Sequence, residues 1–173
     1  MYNKAQSGQK NTRVVRVKTK ASIHINAPQE KVWDYISNLE NLPKYFFGWG
    51  PIPAVKKVEI IGKKEMALGL KQRTTTAAGT VLEETVLHAK NPQYFDYEIK
   101  GFGFPFNLFV KKGGGSWTFA TDDGGTTATW NYFFLLTSPL AYPIAAPLVK
   151  LAHQHAMALS LGRAKKQIEN LKD

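Results

Sequence analysis

Apolar and polar residues alternate along the chain from Val15: Val15, Val17, Ala21, Ile23 and Ile25 are apolar, whereas Arg16, Lys18, Lys20, Ser22, His24 and Asn26 are polar. A period of two over that length predicts a strand with one buried and one solvated face. In the next segment, NAPQEKVWDYISNLENLPKYFFGW, Val32, Ile36 and Leu39 recur at helical spacing. Pro28 suits the first turn of that helix, with Asn26 or Ala27 as its cap and Glu30 favourable to the dipole. A second short helix is predicted over about Leu39–Phe46, irregular because it contains Pro43.

Beyond GWGPIPA the pattern returns to strands. VKKVEIIG, LGLKQRTTT, TVLEETVLH, QYFDYEIKG, SWTFATD and TTATWNYFFLLT are separated by Gly, Asn-Pro or Asp-Asp-Gly-Gly punctuation. Short connections make successive strands antiparallel. Phe95, Tyr97 and Ile99 alternate with Asp96, Glu98 and Lys100; Trp117 shares a face with Phe119, and Trp130 with Tyr132 and Phe134.

The most apolar stretch, FFLLTSPLAYPIAAPLVKLAHQHAMALSL, fails as a membrane span. It begins within the last strand, Pro139, Pro143 and Pro147 interrupt it, and Lys150, His153 and His155 follow. It predicts a long C-terminal helix from about Pro147 to Leu171, apolar almost all round in its first half and so buried on most of its circumference. The architecture expected is α+β: a seven-stranded curved antiparallel sheet wrapped around that helix, with two short helices between strands 1 and 2.

At 173 residues, 43% of them hydrophobic, the chain suffices for one domain with a real core. A basic tail over residues 1–12 is expected to precede a single domain over 13–173. The absence of Cys excludes disulfides, a thiolate nucleophile and Cys-based zinc sites. The N-terminus has no apolar core of the secretory kind, which points to the cytoplasm. Of the formal +10 charge, Lys4, Lys10, Arg13, Arg16, Lys18 and Lys20 lie in the first twenty residues without an acid among them. That segment is either a solvated tail leading into a strand or a peripheral contact with acidic membrane. No sequence-specific nucleic-acid motif accompanies it. Ser-His-Asp, His-Glu-x-x-His and phosphate-loop signatures are missing, and neither a metal nor a cofactor is expected.

The order strand, two helices, six strands, long helix resembles the START-like, or SRPBCC, superfamily and its helix-grip fold. INAPQEKVWDYISNLENLPKYF is similar to that family's opening, and GTVLEETVLHAKNPQYFDYEI and DDGGTTATWNYFF to strands of its polyketide cyclase/dehydrase and lipid-transport branch. The resemblance covers about Val14 to Leu171. It implies a cavity between sheet and helix that takes a small hydrophobic molecule such as a lipid, polyketide or quinone, and it does not by itself imply catalysis.

Several residues could line that cavity. Tyr97, Trp117, Phe119, Trp130 and Tyr132 are expected on the concave face, either filling a core or walling a pocket. Phe104 lies in GFGFPFNLFVKKGGGSW, which reads as a flexible, glycine-bracketed connection whose aromatics mark a ligand entrance or fold back on the core. Glu83 and Glu84 point to opposite faces; the alternation is ambiguous, with Glu84 favoured as the inward one. A carboxylate there would have a raised pKa and could anchor a ligand or move a proton. His155 shares a helical face with Leu148, Leu151, Leu159 and Gly162 and could reach the cavity, while His153 points nearly the opposite way. The first functional expectation is hydrophobic-ligand binding, with transport or sequestration. The alternatives are a cyclase or aromatase using Glu84, Tyr97 or His155 for proton transfer, and a membrane-associated accessory protein handling a lipid or quinone.

Overall fold

A computed structural model describes residues 15–171. The expected basic tail over residues 1–12 lies outside the described residues. Seven strands form one antiparallel sheet in the order β1-β7-β6-β5-β4-β3-β2. They are β1 (Arg16–Ile25), β2 (Val55–Ile61), β3 (Lys71–Thr76), β4 (Val81–Lys90), β5 (Tyr94–Lys100), β6 (Val110–Asp122) and β7 (Gly125–Leu136). Between β1 and β2 run α1 (Gln29–Ser37), a 3₁₀ turn over Leu39–Asn41 and the single-turn α2 (Leu42–Tyr45). Pro28 is the N-cap of α1, one position earlier than its first turn, so no Asn26 side chain caps it. The helix-grip architecture read from the sequence is the one observed.

The strand patterns explain the layering. In β7, Ala128, Trp130, Tyr132, Phe134 and Leu136 are buried, and the residues between them are half-buried. β6 starts earlier than expected. Gly113, Gly114 and Gly115 belong to it, buried and paired with both β5 and β7, so they are not part of a flexible connection. At Gly115 the requirement is close approach: a Cβ would lie 2.6 Å from the Tyr97 hydroxyl and 2.8 Å from the Asn131 carbonyl oxygen.

The C-terminal helix differs from expectation in two ways. It begins at α3 (Tyr142–Pro147), passes through a π-helical turn over Leu148–His153 and continues as α4 (Gln154–Asn170). Its buried face includes Ala145, Ala146, Val149, Ala152, His153, Ala156, Met157, Ser160, Leu161, Ala164 and Ile168. The opposite face, carrying Leu151 (71% exposed), His155 and Leu159 (36% exposed), looks outward. Alanines predominate on the inward side because the sheet's aromatic rings occupy much of the space beneath the helix, leaving room for only a few larger side chains such as Met157, Leu161 and Ile168. The helix is therefore not buried around most of its circumference.

The far end of α4 is fastened by side chains. The Asn26 backbone N–H donates to Glu169 (2.7 Å), Lys165 donates to the His24 carbonyl (2.9 Å), and Gln167 donates to the Lys44 carbonyl (2.7 Å). No helix among the described residues is long and apolar enough to cross a membrane.

Candidate functional site: a polar chamber at one end of an aromatic core

Two halves of the concave face have different chemistry. On β3, Lys71 and Arg73 point out, so Gln72, Thr74 and Thr76 point in, and all three are buried. In the β3–β4 register Gln72 stands opposite Glu84. The Thr74 hydroxyl donates to Glu84 Oε1 at 2.8 Å. Although Glu84 as a residue is only half-buried, its carboxylate is enclosed by protein; burial raises its pKa, and the bonds from Thr74 and Gln72 oppose that rise. Gln72 Oε1 has no hydrogen-bond partner among the described residues.

These groups border a void of about 10 Å³, walled by Leu39, Leu70, Gln72, Glu84, Val86, Phe95 and Tyr97. Such a space holds about one water. Leu39 and Leu70 also wall a surface groove of about 230 Å³, whose rim carries Asp34, Glu40, Lys64 and Met66. They form the partition between groove and chamber. Leu70 closes the β2–β3 loop, whose ends at Gly62 and Gly69 adopt positive φ (92° and 84°).

Beyond the chamber the concave side is packed with rings. Trp117 and Trp130 stack at 4.6 Å between centroids, and Phe46 meets Trp130 edge-on at 5.9 Å. Trp33 from α1 meets Phe95 and Phe119 edge-on, each at 5.7 Å. The Trp130 indole donates to the Tyr97 hydroxyl at 2.8 Å. Burial, followed by neighbouring tyrosine or Glu84 charge, pushes the phenols of Tyr97 and Tyr132 well above their ordinary value. Of the two roles the sequence left open for these aromatic residues, they mainly fill a core.

His153, not His155, is the inward histidine. Its ring lies 4.5 Å from Tyr132 and 4.9 Å from Phe134, with Nδ1 3.3 Å from the Thr19 hydroxyl. Burial lowers its pKa to about 3.

Of the residues singled out from the sequence, Glu84, Tyr97, Trp117, Phe119, Trp130 and Tyr132 come together on the concave side. Three do not. Phe104 is 81% exposed, because its neighbours Phe102 and Phe106 fold back onto Phe134 and leave it outside. His155 is exposed and packs on Trp49 at 4.5 Å, and Leu159 follows it one turn on along the outer face. Glu83 lies at the surface 3.5 Å from Arg73. Sequence reasoning missed Gln72 and Thr74, although the alternation in KQRTTT was legible and marks an inward polar face. It also missed Leu39, Leu70 and His153. No group of His, Asp and Glu among the described residues is arranged to hold a metal.

The fold and this partly polar interior define the chain as a helix-grip protein with an enclosed carboxylate. Residues 16–169 match the family described as polyketide cyclase/dehydrase and lipid transport, and the chain belongs to that family. Its fold is similar to truncated norcoclaurine synthase from Thalictrum flavum, with a TM-score of 0.70 and 16% identity over 92% of this chain and 97% of that one. It is also similar to the di-domain ARO/CYC BexL from the BE-7585A biosynthetic pathway (TM-score 0.66, 18% identity, 91% of this chain and 51% of that one). TTHA0849 from Thermus thermophilus gives a TM-score of 0.64 and 18% identity, over 87% of this chain and 96% of that one. Among curated proteins, no sequence relative matches.

Proposed function

We propose that the protein binds a small, mainly apolar molecule with one hydrogen-bonding end, which enters through the groove and anchors at Glu84 and Gln72. One observation carries this reading: an enclosed carboxylate and an unpartnered amide oxygen share a chamber whose other walls are apolar. Buried polar groups left unpaired are destabilising by about 1–3 kcal/mol, so a site that retains them calls for a partner. A ligand hydroxyl or amine donating to Gln72 Oε1 and Glu84 would supply it. The described state is closed, since a water-sized void admits nothing larger until Leu39 or Leu70 moves. The β2–β3 loop, pivoting at Gly62 and Gly69, is the element suited to move Leu70.

Native mass spectrometry of the full chain, with extraction of any co-purifying molecule, tests the binding directly. A titration with the neutral fluorophore N-phenyl-1-naphthylamine should show about one site, lost in Leu70→Trp, whose indole would fill the chamber. No co-purifying molecule together with no probe binding would sink the proposal. So would probe binding that Leu70→Trp leaves untouched in a folded protein.

The raised pKa of Glu84 favours a second reading, proton transfer on a cyclisable polyketide-like chain, in keeping with the family description. Tyr97 would serve there only as a donor, because its phenol stays protonated far above neutral pH. Turnover of such substrates that collapses in Glu84→Gln would establish catalysis. A changed ligand preference without turnover would establish anchoring.

A further inference from the structure

We propose that the outward face of the C-terminal helix, from Leu140 to Lys166, docks on a lipid bilayer containing anionic lipid. This surface is separate from the chamber, and the inference does not rest on ligand binding.

Leu140 is 87% exposed, Ile144 57% and Leu151 71%. With Leu159 they follow one another at intervals that keep them on one side of the helix, the side turned away from the sheet. Leu140 lies in a 3₁₀ turn (Pro139–Ala141) that leads into α3, and just before it the Thr137 hydroxyl donates to the Leu108 carbonyl at 2.8 Å, which sets exposed Leu108 beside the start of the helix. Alongside lie two more exposed aromatics, Trp49 against His155 and Phe47 beneath the Arg163 guanidinium at 4.7 Å. Such a patch on a monomer marks an interaction surface.

Charge selects the occupant. Between Gly124 and Ile168 the chain has no Asp or Glu, while Lys150, Arg163 and Lys166 are cationic; Lys165 is taken up by Glu169 at 3.6 Å. Lys150 and Lys166 are exposed. A second copy placed on this face by two-fold symmetry would set these cations against their own counterparts with no carboxylate to pair them. Leucines flanked by Lys and Arg instead match an acyl boundary beneath anionic headgroups, the arrangement of an interfacial amphipathic helix.

Flotation of the full chain with phosphatidylcholine vesicles, with and without phosphatidylglycerol, tests the proposal. Wild type should float with the anionic vesicles, less so as salt rises. Leu140→Ser combined with Leu151→Ser should weaken binding about tenfold or more while the unfolding transition stays in place, since both side chains are exposed. Lys150→Gln should weaken it less and flatten the salt dependence. The proposal is overturned if wild type floats with neither vesicle, or if the double variant floats as wild type does. It is equally overturned if binding disappears only when Lys4, Lys10 and Arg13 are changed to Gln. Self-association of wild type in sedimentation velocity, abolished by the double variant and without vesicle binding, would assign the face to a second copy and overturn the bilayer reading.

Discussion

The two ends of the sheet use the same alternation for opposite purposes. Along β7 every second residue sends a ring or aliphatic group inward, and Trp130, Tyr132 and Phe134 interlock with Trp117, His153 and Phe106. Along β3 every second residue sends in an amide or hydroxyl, and Gln72 and Thr74 meet Glu84 across the strand pair. The first end is saturated with contacts. The second retains an unpartnered oxygen and a void beside it. Ring packing is thus concentrated on β7 and the proposed anchoring groups on β3 and β4, with Phe95 and Tyr97 shared between the two.

The largest effect should come from the saturated end. Trp130→Ala removes the stack on Trp117, the edge contact with Phe46 and the bond to Tyr97, and should cost about 3–5 kcal/mol in denaturant unfolding, the usual range for a buried aromatic. A loss below ~1 kcal/mol would mean that the two ends do not differ in packing.

Next in size is a dependence on pH. His153 faces Tyr132, Phe134 and Thr19, whose hydroxyl also meets the Met157 sulfur, with no carboxylate among these neighbours. In the unfolded chain its imidazole takes up a proton near pH 6.5, but in the fold only near about 3. Between those values the unfolded state binds more protons, so stability falls as pH drops, by up to about 1.4 kcal/mol per unit. Glu84 acts in the opposite sense. Its raised pKa means that its contribution is present below the ordinary carboxylate value and is lost as pH rises through the folded one. Urea midpoints of wild type and His153→Gln should diverge between about pH 7 and pH 4, with wild type losing more; parallel curves would contradict the buried, neutral ring.

The smallest effect sharpens the contrast from the other side. Gln72→Met removes the unpartnered oxygen while keeping the volume, and should raise stability by up to about 1 kcal/mol. The same change should weaken probe binding. A clear loss of stability instead would show that Gln72 holds the sheet together as the aromatic residues do.

The fold was legible because its signals are local. Alternation from Val15 to Ile25, the turn chemistry around Asn91-Pro92 and Asp123-Gly124, and the helical spacing of Val32 and Ile36 each mark an element. The site was less legible because it depends on phase. Val81 and Leu87 are apolar yet exposed on the same face as Glu83, which is why the faces of Glu83 and Glu84 look ambiguous in the sequence. The π turn over Leu148–His153 adds to the difficulty, and around it the inward side of the helix carries Ala152 and Ala156 while Leu151 and Leu159 face out. Hydrophobicity alone therefore selects the wrong face and, with it, His155 over His153. Nor could the sequence tell a ring that lines a pocket from one that fills it, since Trp117 and Trp130 settle that only by stacking on each other.

The pairing of the first strand with the last also sets a timetable. Arg16 lies opposite Leu135 and Ile25 opposite Thr126, so β1 has no partner until more than a hundred further residues have been made. At ~5–20 residues per second, synthesis leaves that strand waiting for on the order of 5–25 s, with Val17, Ala21 and Ile25 uncovered. Its alternate residues Arg16, Lys18 and Lys20 repel a like strand and guard the nascent edge against pairing with a neighbour during that wait.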